Sequence, residues 1–170
     1  AFKDVGARFM ARSLEYFNRN SNSVLTVLVA TSGDTGGAVA DGFYDVPGIR
    51  VIILYPKGKV SEIQKIQMTS YGKNITTIEV DGDFDDCQKF VKNAFLDEQI
   101  KSNCKLTSAN SINVARWLPQ MFYYFFAYKN IHEYNYPIVF SVPSGNFGNL
   151  CAGLMAKRIG LPIDKFIACT

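Results

Sequence analysis

Residues Val24 to Ala30 form an almost unbroken β-branched and aliphatic run. They lead straight into Thr31-Ser32-Gly33-Asp34-Thr35-Gly36-Gly37 and then a helical segment through Phe43. A strand that is apolar at consecutive rather than alternate positions must be covered on both faces, the condition of a strand inside a parallel sheet. A glycine-rich corner joining such a strand to a helix is the start of a βα unit. The pattern recurs near the other end of the chain. Ile138-Val139-Phe140 runs into Ser141-Val142-Pro143-Ser144-Gly145-Asn146-Phe147-Gly148-Asn149-Leu150, and helical spacing continues to Ile159.

The segments between fit the same alternation. Asp4 to Asn18 carries Val5, Phe9, Met10, Leu14 and Phe17 at helical spacing. Arg50 to Leu54 and Ile75 to Val80 read as strands, with a helix over Val60 to Tyr71 between them that stops at Gly72. Asp83 opens the next helix: its carboxylate suits the cap position, and Asp85 and Asp86 suit the positive helix end. Phe84, Cys87, Val91, Ala94 and Phe95 give that helix one apolar face. Lys105 to Ser108 reads as a short strand. Ser111 to Ile131 reads as one long helix whose aromatics crowd several faces, which predicts burial. Pro137 to Val142 and Phe166 to Cys169 are the last strands. The fold class is therefore α/β, with open, mostly parallel sheets and helices on both faces. Crossovers in such folds are right-handed, and ligands sit beyond the C-terminal ends of the strands, where both glycine loops fall.

Composition narrows the partners. The 170 residues have the length of one ordinary domain and are 48% apolar, 19% charged and 14% aromatic. The net charge of +3 comes from scattered cations with no basic block, which argues against nucleic acid. Four cysteines without a C-x-x-C pair and a single histidine, His132, argue against a metal site. The thiols read as reduced and mostly buried in a cytoplasmic protein. The greasiest stretch, Trp117 to Tyr128, falls short of the ~20 residues of a membrane span and is interrupted by Pro119 and Gln120. Ala1-Phe2-Lys3 reads as the interior of something, and Lys165 to Thr170 as a strand with nothing after it, so a piece of a larger protein is expected.

Gly145 to Asn149 combines a helix start with two glycines that permit positive φ and close backbone approach. That geometry converges N–H groups on an anion, most often phosphate. Asparagines add neutral donors and Ser144 a hydroxyl; a tight turn with an asparagine cap accounts for the same residues. In the 31–37 loop Asp34 would repel a nearby phosphate, so Ser32, Gly33, Asp34 and Thr35 suit a carboxylate or amino-acid contact, or Asp34 is simply a helix cap. Neither loop fits G-x-G-x-x-G or G-x-x-x-x-G-K-[ST], and G-x-S-x-G is absent. His132, in the polar tail of a helix, reads as a surface residue.

Lys3 sits where a helix begins, beside Phe2 and ahead of an apolar face. Most lysines are solvated surface charges; a partly desolvated one loses its proton more readily and condenses with an aldehyde. Such an amine together with a neutral phosphate cup makes pyridoxal 5'-phosphate the natural ligand, acting as an electron sink.

At this point A-F-K-D, A-T-S-G-D-T-G-G-A-V-A, Y-P-K-G-K-V-S-E-I-Q, D-G-D-F-D-D-C-Q, S-A-N-S-I-N-V-A-R-W and V-P-S-G-N-F-G-N, in this order, resemble the threonine synthase family. That family belongs to the tryptophan-synthase-β-like, fold-type II pyridoxal-phosphate enzymes, which have two domains. The resemblance covers essentially the whole chain. It implies that 1–20 and 109–170 belong to the larger cofactor-binding domain and 21–108 to a smaller α/β subdomain. It implies Lys3 as cofactor lysine and catalytic base, Gly145, Asn146, Phe147, Gly148 and Asn149 as the cofactor-phosphate loop, and Ser32, Gly33, Asp34 and Thr35 as the loop facing the substrate carboxylate and the ring oxygen of the cofactor. Many relatives carry Asn where Asp34 stands, and an ionised aspartate only accepts hydrogen bonds. Ser111, Asn113 and Arg116 are candidates for the substrate's phosphate, with Lys59 and Ser61 as competitors; helix capping and surface solvation explain both sets equally well.

The implied reaction converts O-phosphohomoserine and water to threonine and phosphate. Members are much longer than 170 residues and supply a hydroxyl to the pyridine nitrogen from a C-terminal portion that has no counterpart here, so this segment alone is expected to have little or no activity. The competing readings are a related β-replacement enzyme, cysteine synthase-like, and a non-enzymatic phosphate-ligand binding module.

Overall fold

The computed structural model describes residues 2–134, 136–143 and 145–169. The chain forms two units, Ala1–Asn110 and Ser111–Thr170. The first contains α1 (Phe2–Asn18), β1 (Leu25–Ala30), α2 (Asp34–Phe43), β2 (Ile49–Pro56), α3 (Glu62–Thr69), β3 (Ile75–Val80), α4 (Phe84–Leu96), α5 (Glu98–Asn103) and β4 (Lys105–Ser108). Its sheet has the order β3-β2-β1-β4 and every pairing is parallel. Leu25 faces Ile49 on one side and Lys105 on the other. The chain thus winds outward through β2 and β3 and returns to the opposite side of β1, which places a topological switch between β1 and β4. Beyond the end of β4, the Asn110 side chain continues the ladder: Oδ1 accepts from the Ala30 N–H at 3.1 Å and Nδ2 donates to the Ala30 carbonyl at 2.6 Å.

The unbroken apolar run of β1 is buried along nearly its whole length, as a two-sided strand requires. Leu28, Ala30 and Leu54 pack with Cys87 and Val91 of α4. The alternate residues Val27, Val29, Val51 and Ile53 are fully buried and point to the other face, where α2 contacts β2. Each such side chain contributes on the order of 1.5–3 kcal/mol relative to exposure. α3 begins two residues later than its apolar spacing suggests. A reciprocal cap sets its start: Ser61 Oγ accepts from Gln64 N at 3.3 Å while Gln64 Oε1 accepts from Ser61 N at 3.0 Å.

The second unit contains α6 (Val114–Trp117), a 3-10 turn (Leu118–Gln120), α7 (Met121–Ile131), a second 3-10 turn (His132–Tyr134), β5 (Val139–Pro143), α8 (Gly148–Arg158) and β6 (Lys165–Cys169), with β5 and β6 parallel. The long helix expected over 111–131 is broken into three pieces. Asn113 caps α6, so residues 111–113 lie outside it, and Pro119, which has no N–H to give a helix ladder, falls in the 3-10 turn. Its expected burial is also corrected. Trp117, Met121, Tyr124 and Tyr128 form one inward stripe, while Phe122, Phe125 and Phe126 are exposed. Phe140 and Phe166, in register, pack on Tyr124 with ring centroids 4.9 and 5.8 Å away, and the alternate residues Val139 and Ile167 are exposed.

All four cysteines are free, but the expectation that most are buried holds only for Cys87. Cys104 follows α5, Cys151 lies on the outer side of α8 and Cys169 on the two-stranded sheet, and all three are exposed. Among the described residues, no helix is long and apolar enough to cross a membrane.

Candidate functional site

In the first unit the loop after β1 is shaped by Thr31. Its buried hydroxyl accepts from Gly33 N at 3.0 Å and from Gly36 N at 2.9 Å, so Thr31 supplies the side-chain cap of α2. Gly33 adopts φ 140°, ψ −85°, a conformation that requires glycine. Asp34, the first residue of α2, is not the cap: its Oδ1 accepts from Gln64 Nε2 at 2.7 Å. The N–H groups of Ser32, Asp34 and Thr35 meet no acceptor among the described residues. They form a row of donors at the positive end of a helix, suited to a small anion.

Lys3 is the second residue of α1 and is half-buried. With Asp34 it lines a cleft of about 680 Å³, shared with Arg8, Asp41, Gln67 and Tyr71. Arg8 Nη2 donates to Asp41 Oδ2 at 2.8 Å, and the Tyr71 hydroxyl donates to Asp41 Oδ1 at 3.3 Å. The hydrogen bond to Asp41 raises the Arg8 guanidinium above its ordinary value, and burial, then Asp41, raises the Tyr71 hydroxyl. Lys59 is exposed in the turn after β2, and Ser61 is committed to capping α3.

In the second unit Phe147 precedes α8 in the left-handed region, φ 60°, and Gly148 opens the helix. A Cβ on the buried Gly148 would lie 3.3 Å from Asn146 Oδ1, 3.7 Å from Trp117 Cβ and 3.9 Å from Ser111 Cβ, so Ser111 lies against this corner. The asparagines act mainly as braces. Asn146 Oδ1 accepts from Gly148 N at 3.2 Å, and Asn149 Nδ2 donates to the Pro143 carbonyl at 2.7 Å. The buried Tyr124 donates its hydroxyl to the Asn149 carbonyl at 2.7 Å. Among the described residues the N–H groups of Gly145, Asn146, Phe147 and Asn149 meet no acceptor. The first turn of α8 carries no acid, unlike those of α2, α3 and α4. Ser144, expected to add a hydroxyl, lies outside the described residues.

Asn113 caps α6 through Ala115 N at 3.0 Å. Arg116 is only 2% exposed, and burial lowers its guanidinium to about 10. A cation held there at a desolvation cost is the kind of group that an anion stabilises. His132 is exposed, its Nδ1 2.8 Å from the Lys129 carbonyl.

The structure thus brings Lys3 and Asp34 to one cleft in the first unit, and Ser111 to Gly148 in the second. Sequence reasoning gave no role to Arg8, Asp41, Gln64, Gln67 or Tyr71. Of these only Gln64 carried a legible signal, the S-x-x-Q spacing of a reciprocal cap.

Residues 1–167 match the family described as "Pyridoxal-phosphate dependent enzyme". Over its whole length the chain is 56% identical to the threonine synthase of Buchnera aphidicola subsp. Acyrthosiphon pisum, of which it covers 40%. It superposes on the crystal structure of threonine synthase from Escherichia coli with a TM-score of 0.90 and 52% identity, covering 100% of this chain and 40% of that one. It superposes equally, TM-score 0.90 at 42% identity, on PLP-bound threonine synthase from Brucella melitensis, covering 100% of this chain and 37% of that one. The chain therefore spans about 40% of the length of the relatives it matches.

Proposed function

From the premise that this chain belongs to the pyridoxal-phosphate dependent enzyme family, we propose that its full-length parent is a cytoplasmic carbon–oxygen lyase of threonine biosynthesis, converting O-phosphohomoserine and water to threonine and inorganic phosphate. The observation that carries this reading is 56% identity, across every part of the chain, to a threonine synthase.

The residues fit the cofactor. Gly145, Asn146, Phe147 and Asn149 offer neutral N–H donors at a helix start without an acid, and Gly148 has room for no larger residue without displacing Asn146. These are the requirements of a phosphate cup. Lys3, a half-buried residue, lines a cleft to which its amine is available. When bound, pyridoxal phosphate supplies an electron sink for charge developing on the substrate carbons.

The remaining chemistry falls to side chains. Lys3 would hold the cofactor through its side-chain amine and, as a free base, would move protons at the α and β carbons of the substrate. The open N–H groups of Ser32, Asp34 and Thr35, in the loop that Gly33 shapes, hold the substrate carboxylate. Arg116, flanked by Ser111 and Asn113, holds the substrate's phosphate and stabilises it as the bond to the γ carbon breaks; water then adds at the β carbon. Lys59 and Ser61 are the weaker candidates, because Ser61 already caps a helix. Within the parent, 1–20 and 109–170 contribute to the larger cofactor-binding domain and 21–108 to the smaller one.

The test uses the full-length parent. Borohydride reduction followed by peptide mapping is expected to label Lys3, and phosphate release is expected from O-phosphohomoserine in preference to O-phosphoserine. Label on another lysine removes Lys3 from the mechanism. Faster release from O-phosphoserine moves the enzyme to a β-replacement activity.

A further inference from the structure

Asp34 poses an electrostatic problem. It places a carboxylate at the loop whose open N–H groups are proposed to receive the substrate's own carboxylate, and two like charges at that distance repel. The solution lies on α3. Gln64 Nε2 donates to Asp34 Oδ1 at 2.7 Å, while Gln64 Oε1 accepts from Ser61 N at 3.0 Å. One planar amide is therefore fixed at both ends, with its rotamer set by the cap of α3. The loop is built around it: a Cβ on Gly33 would collide with the side-chain amide of Gln64. Gly33 is thus demanded twice, by its φ of 140° and by the close approach of Gln64.

We propose that Gln64 is a positioning residue for substrate binding: its amide holds the Asp34 carboxylate against α3, away from the donors of Ser32, Asp34 and Thr35, so that an anionic loop accepts an anionic substrate. This rests on the threonine synthase reading. The role needs a neutral donor. A glutamate at 64 has the same shape, still accepts from Ser61 N, and sets two carboxylates against each other.

The experiment uses the full-length parent with its cofactor. Phosphate release from O-phosphohomoserine by the unaltered enzyme is measured first; its absence defeats the functional reading and with it the inference. With activity present, Gln64→Glu is expected to raise KM for O-phosphohomoserine by about tenfold or more, with kcat within about threefold, the size expected when a hydrogen bond to a charged group is lost. Adding Asp34→Asn, so that the amide and carboxylate exchange places and the hydrogen bond is restored with reversed polarity, is expected to return KM to within about threefold of the original. A purely structural role for Gln64 would shift thermal stability without this KM-selective rescue. An unchanged KM in Gln64→Glu, a loss confined to kcat, or a double variant no better than the single one overturns the inference. If Gln64→Glu does not fold, Gln64→Met carries the same test: a raised KM supports the role and an unchanged one defeats it.

Discussion

Gly42 of α2 rests directly on Ala7 of α1. A Cβ on Gly42 would lie 3.1 Å from both the Cβ and the carbonyl carbon of Ala7, so the two helix backbones touch with nothing between them. α1 carries Lys3 and α2 begins at Asp34, so this contact fixes the spacing between the two ends that line the cleft. Gly42→Leu is expected to destabilise the parent by about 1–3 kcal/mol through overpacking. It should also reduce the fraction of cofactor trapped on Lys3. Urea denaturation and borohydride labelling on the same preparation check both.

The cap of α2 offers a cleaner measurement. Thr31→Val keeps the shape of a fully buried residue and removes the oxygen that accepts from Gly33 and Gly36. Gly36 N retains the Gly33 carbonyl at 3.0 Å, whereas Gly33 N is left without its acceptor. A loss of about 1–3 kcal/mol is expected, with Thr31→Ser costing less. Denaturant midpoints of the two variants decide this.

Tyr124 links stability to alkaline pH. Burial raises its hydroxyl above the ordinary value of about 10. An unfolded chain loses that proton first. Stability conferred by the neutral hydroxyl is therefore complete below pH ~10 and is lost as pH rises through the higher folded value. Tyr124→Phe is expected to cost about 1 kcal/mol at neutral pH, from the lost hydrogen bond to the Asn149 carbonyl, and to flatten the alkaline fall. Stability of both proteins measured from pH 8 to 11 would expose a parallel fall, the outcome that contradicts this.

Arg116 and Lys59 compete for one role, and inorganic phosphate separates them. As a product it should inhibit the parent. Arg116→Lys keeps a charge but loses the planar fork, and is expected to weaken that inhibition by about tenfold. Lys59→Ala, at an exposed turn, is expected to leave it unchanged. The reverse result assigns the phosphate to the 59–61 turn.

The strands and the βα corners were legible because a two-sided strand writes itself as consecutive apolar residues and a close corner as glycine. β1 and Gly33 are the plainest cases. The break at Pro119 was also on the page, yet the dense aromatics of 117–128 suggested a single buried helix. Aromatic content does not say which face is covered: Trp117, Met121, Tyr124 and Tyr128 pack inward, whereas Phe122, Phe125 and Phe126 do not. For Asp34 the sequence left a ligand contact and a helix cap side by side, because an aspartate that opens a helix suits either. The cap went to Thr31 because Gly33's conformation turns the Thr31 hydroxyl back onto two N–H groups, a geometry set by the backbone and not by residue type. The partner of Asp34 lies 30 positions away on a different helix, and no local pattern pairs those two residues.

The sheet order carries a consequence for synthesis. β1 lies between β2, which the ribosome delivers soon after it, and β4, beyond which Asn110 completes the ladder 80 positions after Ala30. Until that stretch emerges, one rim of the most apolar strand in the first unit has no neighbour to bond with. A nascent chain in this interval presents a naked strand edge, the surface that invites pairing between molecules. Shielding by holdase chaperones should matter most while β3, α4 and α5 are being made, and a stall in translation there should be more damaging than one placed after Asn110.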